Sequence, residues 1–261
     1  MPPDLEARVR ALLTTLKMNK ALSALDAALS ADKAARTAVL DTLERLLRVE
    51  VDHRRERRIA RRLDDAKLPD RPTLESFDFD FQPGLDRRLI QDLALLTWVD
   101  KKDDLLLIGQ SGVGKSHLAK AMCLVACSQE RRVLYTTCAN MMVDLHASLA
   151  DNSLLRRLKR YSAPELLLID DLGYDPLEQE HAREAQLLHK VLDARHAKAS
   201  TIVTSNLAVE AWAEYLGNPH LTVALLDKLL YRATAITIEG PSYRLAQHTK
   251  RQQQRKGKTD K

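Results

Sequence analysis

Residues 109–116 have the types and spacing of a phosphate cradle: Gly109, Gln110, Ser111, Gly112, Val113, Gly114, Lys115 and Ser116 read G-x-x-x-x-G-K-S. Glycines let a backbone fold so that its N–H groups converge on phosphate oxygens. Lys115 can reach the β- and γ-phosphates of ATP, and the hydroxyl of Ser116 can ligate Mg²⁺. His117 follows directly and belongs to the same cofactor-binding stretch. The flanks suit the motif. Residues 105–108 read as a buried strand, and residues 113–128 as a helix whose N-terminus points its unpaired N–H groups at the same phosphates. A chance glycine turn would lack those flanks.

Two further stretches could complete a hydrolytic site. The run LLLIDD ends a buried strand in Asp170 and Asp171. Carboxylates at the C-terminal tip of such a strand face the ligand crevice of a parallel sheet. Asp170 is placed to hold Mg²⁺, and Asp171 to polarise the attacking water. The run TIVTSN ends another strand in Ser205 and Asn206. An amide there can hydrogen-bond a γ-phosphate or orient the water, although Ser-Asn also serves simply to cap the next helix.

The elements that must position these residues follow from periodicity. From residue 85 onward, helical patterns alternate with short apolar strands at 105–108, 133–137, 166–170, 201–205 and 235–239, which predicts a five-stranded parallel sheet flanked by helices. Residues 1–62 show only helical spacing, in Leu5, Val9, Leu12, Leu13 and Leu16, in Leu22, Leu25 and Leu29, and in Leu40, Leu43, Leu46 and Leu47. Pro69, Pro72, Pro83 and Gly84 punctuate the stretch between. The expected organisation is a small all-α N-terminal domain over 1–62, a linker over 63–84, an α/β nucleotide domain over 85–249 and a basic disordered tail over 250–261.

Composition narrows the classes. The 261 residues are 45% hydrophobic but only 4% aromatic, so the core must be built of Leu, Ala, Val and Ile. No apolar run approaches the ~20 residues of a membrane helix, and charges interrupt the N-terminus where a signal peptide needs an apolar segment. A cytoplasmic protein is the expectation. Cys123, Cys127 and Cys138 form no C-x-x-C pair and read as buried small hydrophobes. The net charge is +5, and the last twelve residues, with six basic and one acidic, account for all of it. Within the neutral remainder, RRERRIARR concentrates Arg54, Arg55, Arg57, Arg58, Arg61 and Arg62 against a single glutamate. Such a run is often a solvated face, with arginines distributed around most of a helix. It is also what neutralising a line of DNA phosphates requires, which gives salt-sensitive and largely non-specific binding.

Taken together, GQSGVGKSHLA, LLLIDDLG, IVTSN and LLDKLLYRA…IEGPSYR resemble the IstB family, the ATP-dependent helper proteins of bacterial insertion-sequence transposons. That family is related to DnaC-type helicase loaders within the P-loop AAA+ (ASCE) ATPases. The resemblance extends to LKMNKAL, RRIARRL, AKLP and TLESFDF in the N-terminal part. It implies a Mg²⁺-dependent, DNA-coupled ATPase in which Lys115 and Ser116 bind phosphate and metal, Asp170 is the metal-side carboxylate, Asp171 the catalytic one, and Asn206 the sensor. It also implies a homo-oligomeric ring or spiral on double-stranded DNA and a partner transposase. Two departures stand out. Most AAA+ proteins have glutamate at the position of Asp171, and aspartate is one methylene shorter. Relatives usually carry a trans-acting arginine where this chain has Lys228, which lacks the planar fork. Arg232, one turn on, or Arg244 are the alternatives for that role. The main rival reading is a helicase loader on single-stranded DNA. A small-molecule P-loop kinase would need a lid, of which no sign is seen. An architectural DNA binder that only holds ATP would not need the paired carboxylates.

Overall fold

The computed structural model describes residues 4–28, 33–173 and 181–259. They fall into two compact units that meet between Arg61 and Arg62.

The first unit is helical: α1 (Leu5–Thr15), α2 (Asn19–Ala28) and the greater part of α3 (Lys33–Asp65). Its core contains Val9, Leu13, Leu25 and Leu40, with Leu5, Leu22, Leu43 and Leu47 packed around it. These are positions from the expected leucine series; Leu29 lies outside the described residues. A two-pronged pair between Arg8 and Glu44, at 2.9 and 3.2 Å, ties α1 to α3.

The second unit continues through α4 (Arg87–Ala94), α5 (Thr97–Asp100), β1 (Asp104–Gly109), α6 (Lys115–Ser128), β2 (Val133–Thr137), α7 (Cys138–Ala150), α8 (Leu154–Ser162), β3 (Leu166–Leu172), α9 (His181–Arg195), β4 (Ser200–Ser205), α10 (Trp212–Tyr215), α11 (Pro219–Leu230), β5 (Ala233–Ile238) and α12 (Tyr243–Thr259). The strands form one parallel sheet in the order β2-β3-β4-β1-β5. Both faces of the central strands are covered, which is why they read as unbroken apolar runs. Alternation reappears in the packing. Leu105, Leu107, Leu166 and Leu168 enter one core, while Leu106, Ile108, Leu167 and Ile169 enter the other. The three cysteines are buried, and none is in a disulfide.

Two expectations need correction. Residues 63–84 are not a loose connection. Ala66 and Gln82 are buried, and Leu63, Leu68, Leu74, Phe77 and Phe79 pack against the core. The Ala66 carbonyl also accepts a hydrogen bond from the backbone N–H of Tyr135 on edge strand β2, at 2.8 Å. Prolines predict irregular backbone there, but irregular backbone can still carry apolar anchors. Residues 250–259 are likewise not disordered, because α12 runs through to Thr259. Gln, Lys and Arg are good helix formers and extend a helix already begun at Tyr243. Among the described residues, no helix is long and apolar enough to cross a membrane.

Candidate functional site

The loop between β1 and α6 is pressed between two other segments. Gly112 has φ +86°, and a Cβ there would lie 2.1 Å from Ser242 Oγ. Gly114 has φ +104°, and a Cβ there would lie 2.5 Å from Phe77 Cε2. Both positions combine a left-handed backbone with close approach, so glycine is required for two reasons. Helix α6 begins at Lys115 rather than Val113, with Gly114 as its N-cap. Lys115 is 7% exposed, and its ammonium donates to the carbonyls of Gly109 and Gln110 at 2.7 and 2.9 Å.

The loop floors a cavity of about 450 Å³. Ser111 through His117 line it, together with Asp171, Asn206 and Arg244. Gly109 and Gln110 do not line it; their carbonyls hold the Lys115 ammonium. Phe77, Phe81, Gln82 and Tyr243 form part of the remaining wall. Phe81 and Tyr243 meet edge to face at 5.2 Å, and His117 Nε2 lies 2.9 Å from the Thr73 carbonyl oxygen. Sequence reasoning did not assign this wall. Its signal was present, because all three phenylalanines of the chain fall in the stretch SFDFDF.

Asp170 and Asp171 should point to opposite faces if β3 were regular. β3 is not regular there: the β3–β4 register shifts between Ile169 and Leu172, and Asp171 takes φ +60°. Asp170 is 2% exposed. Its Oδ1 accepts from Thr204 Oγ1 at 2.5 Å, and its Oδ2 from the Tyr135 hydroxyl at 3.4 Å. Asp171 reaches the cavity. Desolvation, then the neighbouring Asp170 charge, push its carboxyl above the usual range, against the opposing pull of Lys115, Arg244 and Lys120. Desolvation likewise lowers the Lys115 ammonium, with Asp171 and Asp170 opposing. Among the described residues no three His, Cys, Asp or Glu side chains gather as a metal cage. A serine hydroxyl and two carboxylates beside a phosphate cradle instead suit Mg²⁺, which completes its shell with phosphate and water.

Lys228 and Arg232 are not part of this cavity. Lys228 is ion-paired with Asp193 of α9. Arg232 pairs with Asp103 at 2.8 Å, and its carbonyl accepts from Asp104 N at the start of β1. Gly109 closes the other end of that strand, about 16 Å away at ~3.3 Å per residue.

The arginine run lies on α3. At ~100° per residue, Arg54, Arg55, Arg57, Arg58, Arg61 and Arg62 fall within an arc of about 160°, rather than around most of the circumference. Glu56, Ile59 and Ala60 occupy the other side, and Ile59 is half-buried. The six are not equivalent. Arg54 pairs with Glu50 at 2.6 Å and donates to the Leu16 carbonyl at 3.1 Å, while Arg62 donates to the Glu130 carbonyl at 2.9 Å.

Comparison with known proteins agrees with this geometry. The model of the family "IstB-like ATP binding protein" matches residues 11–252. The ATP-binding protein of insertion sequence IS21 from Pseudomonas aeruginosa is 39% identical over 204 residues, covering 78% of this chain and 76% of its own. An insertion-sequence ATP-binding protein from Mycobacterium tuberculosis is 32% identical over 237 residues, covering 90% and 93%. In fold, the chain is similar to domain III of the replication initiation protein DnaA from Thermotoga maritima, with TM-score 0.53, 21% identity and coverage of 67% of this chain and 69% of that one. It is also similar to AMPPCP-bound DnaA from Aquifex aeolicus, with TM-score 0.53, 18% identity and coverage of 66% and 51%. The fold is therefore that of the P-loop AAA+ proteins, and the chain belongs to the IstB-like ATP-binding protein family.

Proposed function

We propose that this chain is an ATP-hydrolysing transposition helper. It assembles as an oligomer on duplex DNA, deforms the DNA and recruits or activates a transposase, and hydrolysis controls disassembly. The observation that carries the reading is which charged and polar side chains the cavity gathers and which it does not. Lys115, Asp171, Asn206 and Arg244 share it, while Lys228 and Arg232 are held outside it. A cation outside its own chain's cavity is available to the cavity of a neighbouring copy, where it would stabilise charge on the transferring phosphoryl group. Arg244 acts in its own chain on this reading, leaving Lys228 and Arg232 for the trans role.

Backbone N–H groups of residues 111–116 and the Lys115 ammonium bind the phosphates. The Phe81–Tyr243 pair supplies an apolar wall for a purine. Ser116 and Asp170 are the residues to hold Mg²⁺, which when bound neutralises and aligns the β- and γ-phosphates. Asp171, whose raised pKa suits a proton acceptor, takes a proton from water as the water oxygen bonds to the γ-phosphorus. The bond to the bridging oxygen breaks, releasing ADP and inorganic phosphate. Asn206 orients the water or the γ-phosphate. The shorter reach of aspartate favours slow turnover, suited to a timed release. The arginine arc on α3 supports duplex binding, and membership of a family whose relatives are insertion-sequence proteins supports the transposase as partner.

Mass photometry of wild type and Asp171→Asn, with ATP and Mg²⁺ and with or without mixed-sequence duplex, tests the reading. Large assemblies that need ATP and duplex, and that persist longer in Asp171→Asn, are expected. Assembly on single strands but not on duplex would replace transposition with helicase loading. No phosphate release under any condition would remove hydrolysis.

A further inference from the structure

We propose that Thr204 is the positioning residue for both carboxylates of the site, one hydroxyl setting Asp170 and Asp171 at once. The inference rests on the ATP-hydrolysing reading above and adds a residue to it.

Strand pairing singles out this residue. Ile169 is opposite Val203 and Leu172 is opposite Ser205, so Asp170 and Asp171 together face Thr204 alone. This is a bulge, two residues against one, and bulges interrupt the ladder and re-aim side chains. The β3–β4 ladder is therefore interrupted at both residues, while on the other side Asp170 alone still pairs in register, with Thr137 of β2. Thr204 supplies what the ladder omits. A hydroxyl has one proton to donate and lone pairs to accept. The proton goes to Asp170 Oδ1 at 2.5 Å, and the oxygen accepts the Asp171 backbone N–H at 3.0 Å.

Both bonds have consequences. The first fixes the plane of the Asp170 carboxylate, with the Tyr135 hydroxyl a longer second contact at 3.4 Å. The second holds Asp171 at φ +60°, a region costly for a residue with a side chain. In that backbone state Asp171 lines the cavity. Thr204 has no exposed surface, and β-branching restricts its χ1, so the hydroxyl is not free to turn elsewhere. Two residues along the same strand end stands Asn206, which lines the same cavity. Thr204 does not line it, so its effect is exerted through the carboxylates. Partners of metal-holding carboxylates are worth on the order of 10–100-fold in metal affinity.

The experiment measures the affinity of a fluorescent ATP analogue as a function of Mg²⁺, for wild type, Thr204→Val and Thr204→Ser, with melting curves to verify folding. Valine keeps the shape and removes the hydroxyl; serine keeps the hydroxyl and removes the methyl. Thr204→Val should raise the Mg²⁺ concentration for half-saturation by about tenfold. Its affinity without Mg²⁺ should stay close to wild type, because the loop and Lys115 are untouched. Thr204→Ser should restore the wild-type Mg²⁺ response. If Thr204→Val does not fold, Thr204→Cys, with a weak donor of similar size, should show the same loss. An unchanged Mg²⁺ response in the hydroxyl-less variant overturns the proposal. So does a serine variant that loses as much as valine, since packing of the methyl would then be the whole role. If wild type itself neither binds nucleotide more tightly with Mg²⁺ nor releases phosphate, the hydrolytic reading fails and takes this proposal with it.

Discussion

Lys115 and Arg195 are both buried cations, 7% and 1% exposed, at opposite ends of the same sheet. At the N-terminal ends of the strands, Arg195 is enclosed. Its Nε donates to Thr201 Oγ1 at 3.0 Å, one terminal nitrogen donates to the carbonyls of Tyr161 and Pro164 at 2.8 and 2.9 Å, and the other reaches the Ser200 carbonyl. Burial lowers its pKa to about 10, with Asp104 opposing. At the C-terminal ends, Lys115 is held by two carbonyls of its own loop and borders an open cavity. Burial alone does not distinguish a structural charge from a functional one. The difference is that fixed protein oxygens meet every nitrogen of Arg195, while the Lys115 end retains space for a ligand.

The comparison makes its largest prediction at the closed end. Arg195→Leu strands several buried carbonyls and the Asp104 charge, and should cost about 3–5 kcal/mol. Melting should then fall by roughly 10 °C. Nucleotide affinity measured well below that melting point should barely move; a loss comparable to that of a loop variant would break the distinction.

Asp104 gives the next largest effect. Desolvation raises its pKa to about 6, against an ordinary 3.8, although the Thr201 N–H and Arg195 oppose the rise. The folded state thus holds this proton more tightly than the unfolded one. Its contribution is fully present below pH ~4 and is lost as pH rises through ~6, for at most about 3 kcal/mol. Subtracting the pH–stability profile of Asp104→Asn from that of wild type should isolate this fall, and a flat difference would remove the assignment.

Lys115→Ala probes the open end. Charge-assisted bonds to phosphate should make nucleotide affinity fall on the order of 100-fold. The melting temperature should hold, since a desolvated charge is removed along with its two bonds. Equilibrium titration beside thermal melting checks both halves.

Lys228 supplies the smallest effect and a third kind of cation, 31% exposed and paired with Asp193. Lys228→Ala should change stability by less than about 0.5 kcal/mol, as expected of a surface pair. It should leave nucleotide binding by single copies unaltered and reduce phosphate release only under assembling conditions. Loss of nucleotide binding in isolated copies would contradict a role in trans.

Much of the site was legible because its signals are local. The loop spans eight consecutive residues, and the paired carboxylates and the Ser-Asn tip each end an apolar run. Other features were harder to read. Prolines in 63–84 indicated irregular backbone, but not that Phe77 would touch Gly114 or that Phe81 would meet Tyr243 more than 150 positions away. The basic tail had the composition of a disordered segment, yet it prolongs a helix nucleated upstream at Tyr243.

The sequence by itself determined the phosphate loop, the parallel α/β class and the family, since each rests on short spacings and runs that backbone chemistry constrains directly. Only the tertiary structure decided which side chains share the cavity. It paired Thr204 with both aspartates across a bulge, brought Arg244 in and left Lys228 and Arg232 out. Those outcomes depend on strand register and on which distant segments pack together, and register is a cooperative property of the whole sheet, not of any one stretch of chain.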